Sequence, residues 1–304
     1  MTDNPPRLPP ELERAIFELV AEVYPRTRSS LAHVAARVRT WIEPWLYRTL
    51  ILRDKLTSER LLSLSHSKPA DFFRHSVRRI IIGRKAYRPA DILALAPDTT
   101  HIAIGTTVDF GPIFAAFGRL RHVHTVSMDS TTMSLANMAH PVLPVWATLT
   151  HLELINQWAF QDSNIFTFVV GLPALTHLAL FNPDWMNTQR LLEDSNAKLC
   201  ALVIQCHREA DGYSIARNVV PLILNDPRVV VCQRIRWDEG AREGLNFWMI
   251  ADAFLKQKQN GEVDGALMRL ALASNLRLFL LQPLFFLPDD RDMPEKGKSE
   301  SESD

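Results

Sequence analysis

From residue 77 onward the chain repeats one short phrase, apolar-x-x-apolar-x-apolar. It reads Val77-Arg-Arg-Ile80-Ile-Ile82, Thr99-Thr-His-Ile102-Ala-Ile104, Leu120-Arg-His-Val123, Leu149-Thr-His-Leu152-Glu-Leu154, Leu175-Thr-His-Leu178-Ala-Leu180 and Leu199-Cys-Ala-Leu202-Val-Ile204. The fourth positions fall at 80, 102, 123, 152, 178 and 202, with intervals of 22, 21, 29, 26 and 24. Alternation within the phrase predicts a strand, and helical spacing predicts helices between, at Pro89 to Leu95, Val108 to Phe117, Phe160 to Val170 and Trp185 to Leu192. One strand-helix unit cannot bury both its faces. Successive units are therefore expected to stack, with parallel strands on one side and helices on the other. The first, fourth and sixth side chains of each phrase then point inward, and the third and fifth face the open strand surface.

The period resembles that of leucine-rich repeats, and the chain is similar to a degenerate leucine-rich solenoid. The asparagine usual in that repeat is absent: the corresponding positions hold Gln157, Pro183 and His207, with Asn156 and Asn182 one residue early. On the open surface the third positions are Arg79, His101, His122, His151, His177 and Ala201, with Glu153 beside them. A histidine column at the strand spacing of about 4.8 Å is close enough to repel on protonation or to hold a divalent metal. A flat ladder offers poor tetrahedral geometry, so we expect this surface to bind a protein partner and no metal.

Ahead of the repeats lies a short helical region. Leu8-Pro9-Pro10-Glu11-Leu12, then Ile16, Leu19, Val20 and Val23, predict an amphipathic helix with proline and acids in its first turn, ended by Tyr24-Pro25. A second helix is expected from Ser29 or Ser30 through Leu31, Val34, Ala35, Val38, Trp41 and Ile42. After Pro44 a third is expected from Trp45-Leu46-Tyr47 to Leu52. Three short helices hold little core alone, so the head is expected to dock on its neighbour or a partner.

These residues resemble an F-box, the helical motif of substrate receptors in Skp-cullin ubiquitin ligases, and most closely the F-box-like proteins of mushroom-forming fungi. Leu8-Pro9-x-Glu11 looks like the motif's opening, and Ile16 and Leu19 like its first apolar face. Leu31 and Val34-Ala35-x-Arg37 look like its second helix, Trp41 its tryptophan, and Trp45-Leu46-Tyr47 its closing aromatic segment. The chain departs from the pattern at Pro25-Arg26-Thr27-Arg28, where an acidic turn is common, and at Tyr47, where tryptophan is commoner. The resemblance implies that Leu8, Pro9, Ile16, Leu19, Leu31, Val34 and Trp41 bind a Skp-type adaptor, itself acidic. The alternative is that they only form the head's core.

After the repeats, Val229-Val230-Val231-Cys232 reads as a last buried strand, Gln233 to Gly244 as a charged loop, and Leu245 to Gln257 as an amphipathic helix. Repeat arrays need an end piece over their last core layer, and residues 233–287 are assigned that role. The expected organisation is α/β: a flexible start at 1–7, an F-box-like three-helix head at 8–52, and an irregular leucine-rich-repeat-like body at 53–232. The helical cap at 233–287 and a disordered acidic tail at 288–304 complete it.

Composition sets limits on function. The chain has 304 residues, 47% hydrophobic, with 34 Lys/Arg against 34 Asp/Glu. Zero formal charge argues against attraction to nucleic acid or anionic lipid as a whole. Residues 1–90 nevertheless carry 17 basic against 9 acidic residues, a surplus of 8, which suits an acidic partner. Three cysteines and no glycosylation sequon fit a reducing cytosol or nucleus. The opening residues lack an apolar signal-peptide core, and the longest uncharged run, Asn164 to Phe181, is broken by Gly171-Leu172-Pro173. None of the common nucleophile-elbow, phosphate-loop, dinucleotide or zinc-protease phrases occurs, so neither catalysis nor a cofactor is expected. Cys200-x5-Cys206-His207 has metal-binding atoms but no identifiable fourth ligand. The sequence thus predicts a ubiquitin-ligase receptor that holds the adaptor by its head and an unknown protein target by its strand surface. Its competitors are a repeat scaffold with no ligase link and, more remotely, a hydrolase or metal enzyme.

Overall fold

The computed structural model describes residues 8–105, 110–129, 144–155, 163–181, 183, 185–194, 198–206, 223, 225–234, 247–263 and 267–268. The head contains α1 (Pro10–Val23), a 3-10 turn (Pro25–Thr27), α2 (Arg28–Leu31) and α3 (Ala36–Leu46). The sheet comprises β1 (Thr49–Leu52), β2 (Arg79–Ile82), β3 (His101–Ile104), β4 (Thr125–Met128) and β5 (His151–Leu154). It continues through β6 (His177–Phe181), β7 (Ala201–Cys206), β8 (Val229–Gln233) and β9 (Leu267–Met268). Between the strands run α4 (Lys55–Ser65), α5 (Phe72–Ser76), α6 (Pro89–Leu95), α7 (Phe110–Phe117), α8 (Pro144–Thr148), α9 (Ser163–Gly171) and α10 (Trp185–Asp194). After β8 comes α11 (Phe247–Gln259).

All pairings are parallel, and spatial order equals chain order from β1 to β9, so each strand pairs only with its neighbours in sequence. The inward phrase positions line up: Leu50, Ile80, Ile102, Val126, Leu152, Leu178, Leu202 and Val229 form one buried row across eight strands. That row packs against Leu61, Phe73, Ile92, Phe117, Trp146, Ile165 and Leu191 from the intervening helices. Trp146 makes edge-to-face contacts with Phe117 at 6.1 Å and Phe168 at 5.2 Å, joining three consecutive units.

Sequence expectations need correction in two places, the head and the third repeat. Residues 49–52, expected as the end of a third head helix, are the first strand, because Tyr47-Arg-Thr-Leu50-Ile-Leu52 is itself a copy of the repeated phrase. Pro44 does not start a helix but sits inside α3, near its end, where one lost hydrogen bond is tolerated. The second expected helix is split into α2 and α3 by the backbone at Ala35, which is extended (φ −161°, ψ 157°).

The second correction concerns the third repeat. Its strand runs from Thr125, not from the Leu120 phrase, and the partner of His101 and His151 is Thr125. The phrase that pairs is Val123-His-Thr-Val126-Ser-Met128, which gives fourth positions 80, 102, 126, 152, 178 and 202. The intervals become 22, 24, 26, 26 and 24, more even than the sequence reading. Leu120 is buried too, but in the turn after α7, where its N–H donates to Phe117.

Candidate protein-binding surfaces

α1 carries apolar side chains on two adjacent faces. Phe17 and Ala21 turn inward to meet Val38, Trp41 and Ile42 of α3, with the Phe17 and Trp41 rings 6.5 Å apart. Glu13 on the same side receives two hydrogen bonds from Arg37, at 2.6 and 3.0 Å, which fix α1 on α3 and hold its carboxyl below the usual range. The other face, Leu12, Ile16, Leu19 and Val23, at spacings of four, three and four, turns to solvent. With Leu8 and Val34, these side chains are 49–60% exposed. Of the seven residues assigned to adaptor binding, Leu8, Pro9, Ile16, Leu19 and Val34 are therefore exposed, whereas Leu31 and Trp41 pack against the head core. An uninterrupted apolar stripe on a helix already packed by its other face is the kind of surface that marks an interaction site.

The second surface is the open face of the sheet. Its third-position row in register is Thr49, Arg79, His101, Thr125, His151, His177 and Ala201. His122 is corrected out of this column: it is exposed beside the turn, its Nε2 lying 4.0 Å from Asp98. Glu153 is corrected as well. It occupies the fifth position of β5 as expected, but is only 1% exposed and so is no surface acid. The histidines form two pairs instead of one column. His151 and His177 stack with ring centroids 4.1 Å apart, and His101 meets His124 edge to face at 6.4 Å.

The threonine before each of these histidines has a structural task that the repeat pattern alone does not disclose. The Thr100, Thr150 and Thr176 hydroxyls each lie 2.8 Å from Nδ1 of the following histidine, and each reaches a backbone carbonyl of the preceding repeat, at 3.0–3.2 Å. The pair orients the ring and clips neighbouring strands together. Burial lowers the pKa of His101 to about 3, aided by the positive charge of Arg79. His151 falls to about 4 through burial and its stacked neighbour His177.

The helix expected over 245–257 is present as α11, but it does not sit on the end of the array. It lies across the open face, where Phe247, Trp248, Ala251 and Leu255 bury Ala179, Ala201, Val203, Val230 and Cys232. The Trp248 ring meets His151 at 5.1 Å and His177 at 5.9 Å, and His177 Nε2 lies 2.9 Å from Asp252 of the same helix. The physical reason is the composition of β6 to β8, where fifth-position Ala179, Val203 and Val230 leave an apolar strip on the outer face that must be covered. His151 and His177 are thus engaged by the chain itself. Arg79 and His101 occupy the part of the face toward β1. The contacts of Trp248 and Asp252 with these histidines were not foreseen, since no local pattern links the helix to the repeats.

Among the described residues no group of three or more His, Cys, Asp or Glu is placed to hold a metal. Cys206 and Cys232 are buried on opposite faces of the sheet, Cys232 with its thiol pKa raised by burial, and Cys200 is exposed; none of the three is in a disulfide among the described residues. His207, residues 235–246 and residues 269–304 lie outside the described residues, and with them the sequence expectations that fall there. Among the described residues no helix is long and apolar enough to cross a membrane. No protein-family model matches the chain, and no curated protein matches it.

Proposed function

We propose that this chain is a substrate-receptor subunit of a Skp-cullin type ubiquitin ligase, with an F-box-like head and a leucine-rich-repeat-like body. The observation that carries the reading is the outward stripe of α1, Leu12, Ile16, Leu19 and Val23, with Leu8 just ahead of it, presented by a helix whose other face is already packed. Each such anchor, buried on an adaptor, contributes about 1.5–3 kcal/mol, and the basic surplus of residues 1–90 accelerates encounter with an acidic partner. In this reading the chain does no covalent chemistry; it holds a protein target on the strand surface while other subunits transfer ubiquitin.

The test is co-purification of the full chain with a Skp-type adaptor. Ile16→Asp/Leu19→Asp and Leu8→Asp/Pro9→Ala are each expected to weaken capture by about a hundredfold or more, with no change in melting temperature because these side chains are exposed. Capture by both variants at wild-type affinity would overturn the assignment.

A second reading, a repeat scaffold without a ligase link, draws on the continuity of head and body. Lys68 of the body pairs with Glu43 of α3 at 2.6 Å, and the Arg48 carbonyl accepts N–H bonds from Arg78 and Arg79, both at 3.0 Å. If the wild-type chain fails to capture the adaptor, this reading takes over, with the head as an end piece for the first repeat.

A further inference from the structure

Three guanidinium groups from three different segments converge where the head meets the first two strands. Arg79 is the third-position residue of β2, flanked in register by Thr49 and His101. Arg48 immediately precedes β1, and its guanidinium lies 4.8 Å from the centre of the Trp45 ring. Arg28 of α2 lies 5.7 Å from the same ring, anchored by hydrogen bonds to the carbonyls of Ala21 at 2.7 Å and Trp45 at 3.3 Å. All three are half-buried, and burial lowers the pKa of each, aided at Arg28 by the charges of Arg48 and Arg79, at Arg79 by that of Arg48, and at Arg48 by that of Arg78.

Two other partly buried cations are matched with carboxylates, and Arg78 and Lys258 donate to backbone carbonyls. Lys68 pairs with Glu43, and Arg228 with Asp226 at 2.7 Å. At the seam no such match exists among the described residues. None of the three arginines forms an ion pair among the described residues, and Glu22, the carboxylate whose charge favours Arg28 and Arg48, is exposed and bonded to neither. Among the described residues the guanidiniums of Arg48 and Arg79 donate no hydrogen bond, leaving planar forks of N–H donors suited to a carboxylate or phosphate. Half-burying positive charges without a counterion is unfavourable, and an external oxyanion removes the imbalance.

We propose that this seam binds an oxyanion, carboxylate or phosphate, carried on an acidic segment of a protein partner. A peptide fits better than a free ion because the fifth-position side chains beside Arg79 on the same face are Ile51 and Ile81, both half-buried and apolar. A chain reaching Arg79 lies over them, so an acidic residue flanked by aliphatic ones satisfies both. The site deepens the reading of the strand surface as the partner face and rests on it, but is independent of adaptor capture by α1. It belongs to the end of the sheet away from β7 and β8, where α11 packs.

The test measures fluorescence anisotropy of labelled peptides on the full chain at about 0.1 M salt, where exposed charges are largely screened beyond ~10 Å. Three peptides share a leucine-rich frame and carry glutamate, phosphoserine or glutamine at the same positions. The glutamate or phosphoserine peptide is expected to bind at least tenfold more tightly than the glutamine one, and the tighter of the two identifies the oxyanion. Arg79→Gln and Arg48→Gln are each expected to weaken that binding at least tenfold while the melting temperature stays or rises, because a mutually repelling charge is gone. A structural role for these arginines would instead lower it. Equal binding of the glutamine peptide, no binding of either anionic peptide, unchanged binding by Arg79→Gln, or equally tight binding of single-stranded RNA would overturn the proposal. Ile16→Asp/Leu19→Asp should keep peptide binding, and Arg79→Gln should keep adaptor capture, so failure of one assignment is distinguishable from failure of the other.

Discussion

At the scale of single residues, His101 and His151 show what a repeat-face histidine costs when it is buried. Their pKa values, about 3 and about 4, lie below the ordinary 6.5, so between these values the unfolded chain binds protons that the folded chain does not. A folded-state pKa lowered in this way gives stability that is fully present above pH 6.5 and lost as pH falls toward 4 and then 3. The melting temperature should therefore decline steadily from pH 7 to 4.5, and a His101→Gln/His151→Gln variant should show a flatter profile. A variant with an unchanged profile would place the pH sensitivity elsewhere. Gly83 is another position where one atom decides: a Cβ there would lie 2.8 Å from the Leu52 carbonyl oxygen, the same oxygen that accepts its N–H at 2.8 Å. The close approach of the β1 and β2 ends leaves no room for alanine.

At the scale of elements, the clearest dependence is that of α11 on Trp248, which is buried between Phe247 and the His151–His177 pair. Trp248→Ala removes the ring that packs on His151 and His177 and should cost about 3–5 kcal/mol, as for buried tryptophan elsewhere. Hydrogen exchange is the measurement: the amides of α11 should lose protection while those of β2 and β3 keep theirs. Uniform loss across the chain would mean that α11 and the array unfold as one unit. The strands themselves were legible from the phrase because its first, fourth and sixth positions are the ones the core needs. The misreading at Leu120 arose because two overlapping phrases share Val123. Only the second completes the pattern, with Met128 at its sixth position, where the first has Thr125. Strand β1 was hidden by the aromatic segment before it, which suits a helix equally well. The placement of α11 was not legible at all, since a helix with one apolar face covers the end or the face of a sheet equally well. The outer stripe of α1 was legible as apolar positions, but which of its two faces stays outside depends on α3, a tertiary fact.

At the scale of the whole molecule, consecutive strand order makes the body a linear array in which each unit rests on the units before and after it. In such arrays stability is close to a sum of unit and nearest-neighbour terms, so the position of a defect matters as much as its size. Leu152 sits at the fourth position of β5, fully buried, paired in register with Val126 and Leu178. Leu152→Ala should cost about 2–5 kcal/mol by the lost burial and the cavity left behind. Because it weakens both central interfaces, it should also lower the slope of the urea transition as the two halves begin to unfold separately. A comparable deletion near the edge, Leu61→Ala in α4, should lower the midpoint and leave the slope nearly unchanged, because only one flank of the array is loosened. Equal slopes for both variants would show that the head, α11 and the array fold as one cooperative body. The proposed oxyanion seam and the proposed adaptor stripe would then be coupled through a shared unfolding equilibrium rather than acting as separate surfaces.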